Sequence, residues 1–571
     1  MKKPIIHGRW VMIMLMGFLF VSSLEAQNEP GPITHTYALE NVNIVTKPGQ
    51  MISNGTVVVR NGLIHSVGKG IPIPSNAKIL KADSMYVYAA FIDGASHVGT
   101  PKPKEEQQQG RRGGNNGVDP GNPTNARAGI TPDLDVQSKL AFDDKSVKDL
   151  RKVGFGAVHT VPRGRMLPGS GAILILEGKN NDDIVLKSDV SAFAQLRGAG
   201  GVFPATVIAV ISKFRDLYRQ AEQAKSHIAK YNTNPNGIVR PAYDDAIMAL
   251  IPVVSKTKPV YFMASDHLAI ARVLQLQKEL GFKLVLVGAK NGWHHMKTIQ
   301  SKGIPMYLSM DLPKKEDDKK KKKKEEEKAE EMTMFDEERK AMQERKVMEA
   351  KKYVGQASMF SKAGIGFGFT TEGTNAKDIH SNIRRMIEEG LSEDAALSAL
   401  TTYPAQQLGV SRMLGSVEKG KVANLMVTDK PYFEEKSMIA YMLVDGEVFE
   451  YKKEEKKKKG GPADATMATQ LAGEWSYDLE VPGETQTGTL TFVNDDGELS
   501  GIMVSDQDDG GEETELNDIS IDGQEVSFTI EINDGQITAS FSITLDEGTF
   551  DGTVSVGDFG SFPVKGEKTP E

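Results

Sequence analysis

Three side chains are placed where they could bind a cation or transfer protons. His97, His159 and Glu372 each lie at or just beyond the end of a short apolar run. Neutral imidazoles and carboxylates bind divalent metals such as Zn²⁺, and a carboxylate can also act as a general base. One interpretation is therefore a metal site built from these three residues, with Glu372 as the catalytic group.

Other chemistry-bearing residues have plainer interpretations beside the functional one. Arg163 and Arg165 follow the run that contains His159, and their guanidinium groups could hold an anionic substrate or simply face water. A histidine taken alone is more often a hydrogen-bonded structural residue than a ligand. Three more histidines are expected near the surfaces of helices: His294, His295 and His380.

The elements that must position these residues alternate in type along the chain. Between Phe91 and about Arg412, apolar runs such as 172–176, 260–262 and 284–287 alternate with helical stretches such as 266–280. This alternation predicts βα units. Residues 36–90 and 413–451 instead alternate apolar and polar residues between Gly and Asn turns, which predicts short strands.

Several words of the sequence resemble the amidohydrolase superfamily, in its imidazolonepropionase-like and dipeptidase-like branch, over about residues 36–451. They are NVNIV (41–45), ISNGTVVVRNGLI (52–64), FID (91–93), LSALTTYPA (397–405), LGSVEKGKVANL (414–425) and VDGEV (444–448). The resemblance implies an α/β fold with a TIM-like (β/α)8 barrel over 91–412, inserted into a composite β-sandwich formed by 36–90 and 413–451. It also implies hydrolysis of a carbon–nitrogen bond other than an ordinary peptide bond, in a cyclic amide or a dipeptide-like substrate.

In this family the reaction depends on a divalent metal, so the resemblance implies zinc or manganese as the cofactor. The resemblance implies ligands from a His-x-His pair on strand one, a Lys or Glu on strand four, a His on each of strands five and six, and an Asp on strand eight. Ala95 stands at the first histidine position, Met263 at that of strand five, and Glu372 where Asp is usual. An alanine methyl coordinates nothing, and a thioether is a poor ligand for zinc or manganese.

The remaining ligand positions are weaker still. Strand six, at residues 286–289, carries no histidine, and the lysines nearest to strand four are Lys256 and Lys258, which could be surface residues. We therefore expect a largely eroded metal site in which the family's cofactor is doubtful. The alternative function is that of a non-catalytic pseudoenzyme, which would use the barrel pocket and a terminal β-domain to bind a ligand or partner.

Composition excludes several classes of site. The chain has no cysteine, so disulfides, thiolate metal sites and a cysteine nucleophile are excluded.

Lys2, Lys3 and Arg9 precede an apolar run of about 12 residues and a small residue at Ala26, which predicts a signal peptide over 1–26. The run is short of the ~20 residues that a membrane span needs, so we expect an extracytoplasmic protein, periplasmic or secreted, without a span after cleavage.

Three low-complexity segments interrupt the folded regions. Insertions are predicted at about 102–127 and 314–352, the second in part as a projecting helix, and a charged linker at 452–467. The lysine run 319–324 could suggest nucleic-acid binding, but the glutamates at 325–327 cancel it locally. We expect no nucleic-acid partner. The expected partners are a small-molecule substrate or ligand, and a second copy or a family-related protein.

The last hundred residues differ electrostatically from the rest. From Leu471 to Glu571 there are 24 acidic and 2 basic residues, a net charge of -22, which leaves +14 upstream from the total of -8. Alternating runs there predict a hairpin meander. With GEW (473–475) at its start, the region 468–568 resembles an acidic, lipocalin-like small β-barrel. Its acidic loops could bind calcium or serve solubility. Its turns are expected at the Asp-Gly pairs 496–497, 509–510, 522–523, 534–535 and 551–552.

Overall fold

The computed structural model describes residues 35–101, 119–313, 334–451 and 462–569, with short gaps in the last range at 482–483, 496–497, 507–512, 533–536, 547 and 557–559. The predicted signal peptide and most of both insertions lie outside these residues. The chain divides into two compact units, 1–452 and 453–571. No described helix combines the length and apolar character that a membrane crossing requires.

Strands and helices of the first unit are numbered in chain order. The strands are β1 (Thr36–Lys47), β2 (Gln50–Arg60), β3 (Leu63–Gly68), β4 (Lys78–Leu80), β5 (Tyr86–Ala89), β6 (Phe91–Ser96), β7 (Phe155–Thr160), β8 (Gly169–Ile175), β9 (Val185–Gln195), β10 (Val260–Met263), β11 (Leu284–Ala289), β12 (Met306–Ser309), β13 (Gly368–Thr370), β14 (Leu425–Thr428), β15 (Ile439–Val444) and β16 (Glu447–Glu450). The helices are α1 (Asn125–Ala128), α2 (Lys145–Lys152), α3 (Val207–Thr233), α4 (Asp245–Val254), α5 (His267–Leu280), α6 (Met296–Lys302), α7 (Met334–Lys362), α8 (Ile379–Glu388), α9 (Glu393–Leu400) and α10 (Thr402–Gln407).

The two ends of this unit share one eight-stranded sheet. Its order is β16-β15-β14-β5-β1-β2-β3, and β4 pairs with β1. β5 lies parallel to β1 and antiparallel to β14, with Ala89 opposite Leu425. The apolar residues that alternate along these strands, such as Val42, Ile44 and Leu443, are buried in one core. The sheet therefore joins the segment before the barrel to the segment after it.

The barrel sheet follows the order β13-β12-β11-β10-β9-β8-β7-β6. Its strands pair in parallel except for β8, which is antiparallel to both β7 and β9. The expected alternation of strand and helix is wrong at this point. The loop 161–168 that joins β7 to β8 is too short for a crossover helix, which needs about a dozen residues, so the chain turns back as a hairpin.

Side chains join the first barrel strand to the last. The backbone N–H of Thr371 donates to Asp93 Oδ1 at 3.1 Å, its hydroxyl donates to Asp93 Oδ2, and the Thr370 hydroxyl donates to the Ala95 carbonyl. Asp93 is fully buried, and burial is the main cause that raises its pKa to about 6. This seam fixes the position of the residue that follows, Glu372.

Aromatic rings fill the barrel interior. The fully buried ring of Tyr307 occupies the space beside Gly94 and Gly368, where an added Cβ would lie 1.9 Å and 2.5 Å from ring carbons. Tyr307 is stacked with Tyr261 at 6.0 Å between ring centroids. The interior of the barrel is therefore a packed core.

Local signals explain why the helices begin and end where they do. The predicted helix 266–280 is confirmed as α5: the Asp266 carboxylate accepts from the backbone N–H of Leu268 and Ala269, and Gly281 ends the helix at φ +73°. In α7, every residue from 341 to 349 is exposed, in agreement with a helix that projects from the second insertion.

Apart from one helix, the described elements of the second unit are β-strands. Helix α11 (Pro462–Leu471) covers the last residues of the predicted linker. It is followed by β17 (Gly473–Val481), β18 (Glu484–Asp495), β19 (Glu498–Ser505), β20 (Glu513–Glu515), β21 (Asn517–Asp522), β22 (Glu525–Ile532), β23 (Ile537–Asp546), β24 (Thr549–Val556) and β25 (Gly560–Lys568). The sheet order is β20-β19-β18-β17-β25-β24-β23-β22-β21.

Apolar side chains form the core of this second sheet. Trp475, Tyr477, Phe492 and Phe528 are among its largest buried members. One predicted turn is wrong, because Asp551 and Gly552 lie inside β24, and the chain turns instead beside Gly548, whose φ is +94°. A Cβ at residue 552 would lie 2.2 Å from the Ser542 carbonyl oxygen, so the close approach of β23 requires glycine there.

Candidate functional site

His97 and Glu372 meet at the carboxyl ends of the first and last barrel strands. The His97 Nε2 atom lies 3.7 Å from Glu372 Oε1, and the two side chains are 13% and 32% exposed. His97 Nδ1 lies 2.8 Å from the Val161 carbonyl oxygen. Because a carbonyl only accepts, Nδ1 must donate, and in the neutral ring Nε2 keeps a lone pair facing the carboxylate.

Several groups act on the protonation of His97. Burial is the largest effect and lowers its pKa, and Arg163 lowers it further, while Glu372 and the Val161 carbonyl raise it. Because burial dominates, the pKa stays below its ordinary value and the ring is neutral at pH 7. The site thus presents a neutral imidazole beside a carboxylate, a pair able to accept protons or hydrogen bonds.

His159 is held away from this pair. It is fully buried, with Nδ1 2.9 Å from the Gly94 carbonyl oxygen and Nε2 2.8 Å from the Ser191 hydroxyl. Its ring packs edge-on against Tyr261 at 4.5 Å, and burial lowers its pKa to about 4. The structure therefore does not bring His159 to His97 and Glu372, and both of its ring nitrogens already have partners.

The two arginines of the β7–β8 loop point to different groups. Arg163 Nε donates to the Thr100 carbonyl at 3.2 Å, which keeps the guanidinium close enough to lower the pKa of His97. Arg165 Nη1 lies 3.4 Å from the Gly198 carbonyl oxygen, on the loop after β9. Arg163 is thus the arginine next to the pair.

Sequence reasoning missed an ion pair at the same end of the barrel. The Lys290 ammonium, just after β11, contacts the Asp311 carboxylate, just after β12, and the two side chains are 37% and 41% exposed. Asp311 Oδ2 lies 3.7 Å from the Cβ position of residue 373, so it borders the turn that follows Glu372. The available signal was position, since both residues directly follow buried strands, where the active sites of such barrels lie.

Several positions at which the resemblance implies metal ligands hold no suitable donor atom. Ala95 and Gly288 offer no donor, and the Met263 sulfur is packed 2.6 Å from the Cβ position of residue 288. The lysines near strand four are engaged or distant: Lys258 pairs with Asp189, and Lys256 lies beside Gly281. Within the part of the chain that the structure describes, no three His, Asp or Glu residues converge to hold a metal.

Comparison with known proteins bears on the first unit. Residues 289–450 match the model of the amidohydrolase family. No curated protein matches the chain significantly. The fold of this chain is similar to that of an amidohydrolase from Thermotoga maritima, with a TM-score of 0.58 and 18% identity. The match covers 73% of this chain and 100% of that chain.

Two further solved structures match at lower TM-scores. A putative prolidase from Bifidobacterium longum gives 0.40 with 16% identity, over 73% of this chain and 95% of that chain. An adenosine deaminase from Xanthomonas campestris with bound zinc gives 0.36 with 12% identity, over 72% and 92%. Residues 289–450 thus match the amidohydrolase family model, the first unit shares its fold with a solved amidohydrolase, and a separate all-β domain follows in the chain.

Proposed function

We propose that this amidohydrolase-family protein binds a small amide-containing molecule, a cyclic amide or a dipeptide, at the carboxyl end of its barrel, and that metal-assisted hydrolysis there is largely lost. The observation that carries the proposal is the His97–Glu372 pair. These two residues stand 3.7 Å apart where the family's ligands would converge, and the other ligand positions hold Ala95, Met263 and Gly288.

The pair and its neighbour suit the two halves of an amide group. His97 Nε2 and the Glu372 carboxylate can accept hydrogen bonds from an amide N–H. Arg163 can donate to a carbonyl or carboxylate oxygen. A ligand that carries both groups would satisfy acceptors and donor together, without any chemical step.

Retained hydrolysis is the second candidate, and one observation favours it. His97 donates Nδ1–H to a backbone carbonyl and turns Nε2 toward a carboxylate, which is the orientation that metal-binding histidines commonly have. Two ligands rarely make a stable zinc site, so we rank this candidate below binding.

The location and partners belong to the same proposal. The leader-like residues 1–26 support export, and we propose that the mature protein works outside the cytoplasm. We also propose that it assembles there with a second copy of itself or with a related protein. Amino-terminal sequencing of protein from the extracytoplasmic fraction would reveal a start near residue 27. A chain that begins at residue 1 and stays in the cytoplasm would contradict export.

One experiment separates the two candidates. Calorimetric titration with a panel of dipeptides and cyclic amides is run alongside elemental analysis of the purified protein, before and after addition of zinc or manganese. His97→Ala is the test variant, and His65→Ala, on the exposed face of β3, is the matched control. Binding that is lost only in His97→Ala, without stoichiometric metal, supports the binding function.

The other outcomes are equally decisive. Near-stoichiometric metal that disappears in His97→Ala, together with product formation, would establish the hydrolase instead. Binding that His97→Ala leaves unchanged, or no binding by any member of the panel, would overturn the proposed site.

A further inference from the structure

A cleft opens at the opposite end of the barrel, far along the strands from His97 and Glu372. It consists of two adjoining cavities of about 240 and 500 Å³. They share the loop 303–305, before β12, and Gln407, at the end of α10. The larger cavity extends to the starts of β10 and β11, and the smaller to the loop 364–366 before β13.

Apolar side chains form part of the walls of the cleft, beside polar ones. Phe282, Leu284 and Ile304 line it and are themselves at least nine-tenths buried, and Tyr261 reaches it from the barrel interior. Gly303 and Gly364 adopt φ of +57° and +69°, and an added Cβ at either would meet nothing within 4 Å. The backbone loops therefore border the space without filling it.

The rim of the cleft is cationic. Lys283 and Lys302 line the larger cavity, and neither cavity has an Asp or Glu in its lining. Lys302 Nζ donates to Gln277 Oε1 at 3.1 Å, which holds that ammonium at the edge of the opening. Among the described residues, the Lys283 ammonium and the Gln407 amide have no hydrogen-bonding partner, so both are available to a ligand.

We propose that this cleft binds a small organic anion, a carboxylate or a phosphate monoester attached to an apolar body. The body lies against Phe282, Leu284 and Ile304, and the anionic group meets Lys283 and Lys302. Charge-assisted hydrogen bonds supply orientation, and burial of the apolar body supplies affinity. The site is independent of the proposed function, because it lies at the amino ends of the strands and shares no residue with the His97–Glu372 pair.

Calorimetric titration of the purified full-length protein with phenyl phosphate, benzoate and inorganic phosphate tests the site. Lys283→Gln/Lys302→Gln removes the two rim charges. The matched control is Lys278→Gln/Lys297→Gln, which removes two exposed lysines from α5 and α6 that do not line the cleft. We expect saturable binding of phenyl phosphate or benzoate, weakened about tenfold or more in the rim variant and unchanged in the control.

The probes also separate the parts of the proposal. Phenyl phosphate bound without benzoate identifies a phosphate monoester as the ligand class, and the reverse identifies a carboxylate. Inorganic phosphate that binds as tightly as phenyl phosphate would overturn the role of the apolar walls. No saturable binding of either organic anion, or equal losses in the rim and control variants, would overturn the site.

A second variant guards against a purely electrostatic effect. Gln407→Trp places a bulky ring at the junction of the two cavities without changing charge, and circular dichroism verifies that it folds. We expect it to abolish binding of the organic anions, while His97→Ala leaves that binding intact. Full binding in a folded Gln407→Trp protein would also overturn the site.

Discussion

The interior of the barrel and its mouth, the carboxyl end of the strands, contain the same residue types in different roles. In the interior, His159 and Asp93 are completely buried, and their polar atoms bond to backbone and hydroxyl groups of neighbouring strands. At the mouth, His97 and Glu372 are partly exposed, and one nitrogen and one carboxylate face each other without a hydrogen bond to fix them. A polar group whose partners are all internal serves the fold, whereas one with a vacant side can serve a ligand.

The largest expected difference is in stability. Replacing His159 by Ala leaves a cavity beside Tyr261 and removes the partner of the Ser191 hydroxyl, so we expect a loss of about 3 kcal/mol in the free energy of unfolding. His97→Ala should cost about 1 kcal/mol, because it loses one hydrogen bond at a partly open position. Urea unfolding, monitored by the fluorescence of Trp293 in a Trp475→Phe background, measures the free energy of unfolding of both variants. Equal losses would contradict the distinction between interior and mouth.

The interior should also reveal itself through pH. The pKa of Asp93 is raised from 3.8 to about 6 in the folded protein, so the folded state binds the proton more tightly and this group's contribution to stability falls as pH rises from about 4 to 6. The pKa of His159 is lowered from 6.5 to about 4, so its contribution rises with pH over nearly the same window. The two slopes oppose each other in the wild-type protein.

Asp93→Asn removes one of these slopes. We expect its stability, relative to wild type, to increase as pH rises from about 4 to 6, by roughly 2 kcal/mol across the window. Urea unfolding at pH 4.5, 5.5 and 7 measures the change, with Asp83→Asn, an exposed carboxylate, as the control. A constant difference between Asp93→Asn and wild type at all three pH values would show that the buried carboxyl does not titrate in this range.

At the mouth, the measurable effect is on protonation. Glu372 raises the pKa of His97, so Glu372→Gln should lower it further, with a change in unfolding free energy below about 1 kcal/mol. Titration of the imidazole resonances by NMR reports the pKa. His380, whose Nε2 lies 2.7 Å from the Tyr432 carbonyl oxygen, provides an internal reference. An upward shift of the His97 pKa, or none, would mean that the carboxylate does not act on the imidazole.

The smallest expected effect concerns the second charged pair at the mouth. Lys290 and Asp311 are each more than one-third exposed, and solvent screening limits what such a pair contributes. Lys290→Gln should change the free energy of unfolding by less than about 0.5 kcal/mol. A loss as large as that of His159→Ala would place this pair with the structural interior instead of the mouth.

Much of the fold could be predicted because its signals are local. The capping carboxylate of Asp266 and the glycine at 281 bound a helix, and apolar runs such as 260–262 identify buried strands. The antiparallel course of β8 could not be predicted from its own residues, since its apolar run suits either direction and only the short loop before it decides. Asp551-Gly552 failed as a turn for a similar reason, because a close strand requires glycine as a turn does.

The sequence by itself determined which chemistry is available. It fixed the family resemblance, the absence of cysteine, the acidic terminal domain, and the replacement of ligand positions by Ala95 and Met263. Tertiary structure alone decided which of the surviving polar residues share a site. His97 and Glu372 are 275 residues apart in the chain and meet only because the first and last barrel strands are neighbours, whereas His159 is drawn inward by the Gly94 carbonyl and the Ser191 hydroxyl. Long-range strand pairing sets these distances, and no local pattern of residues encodes it.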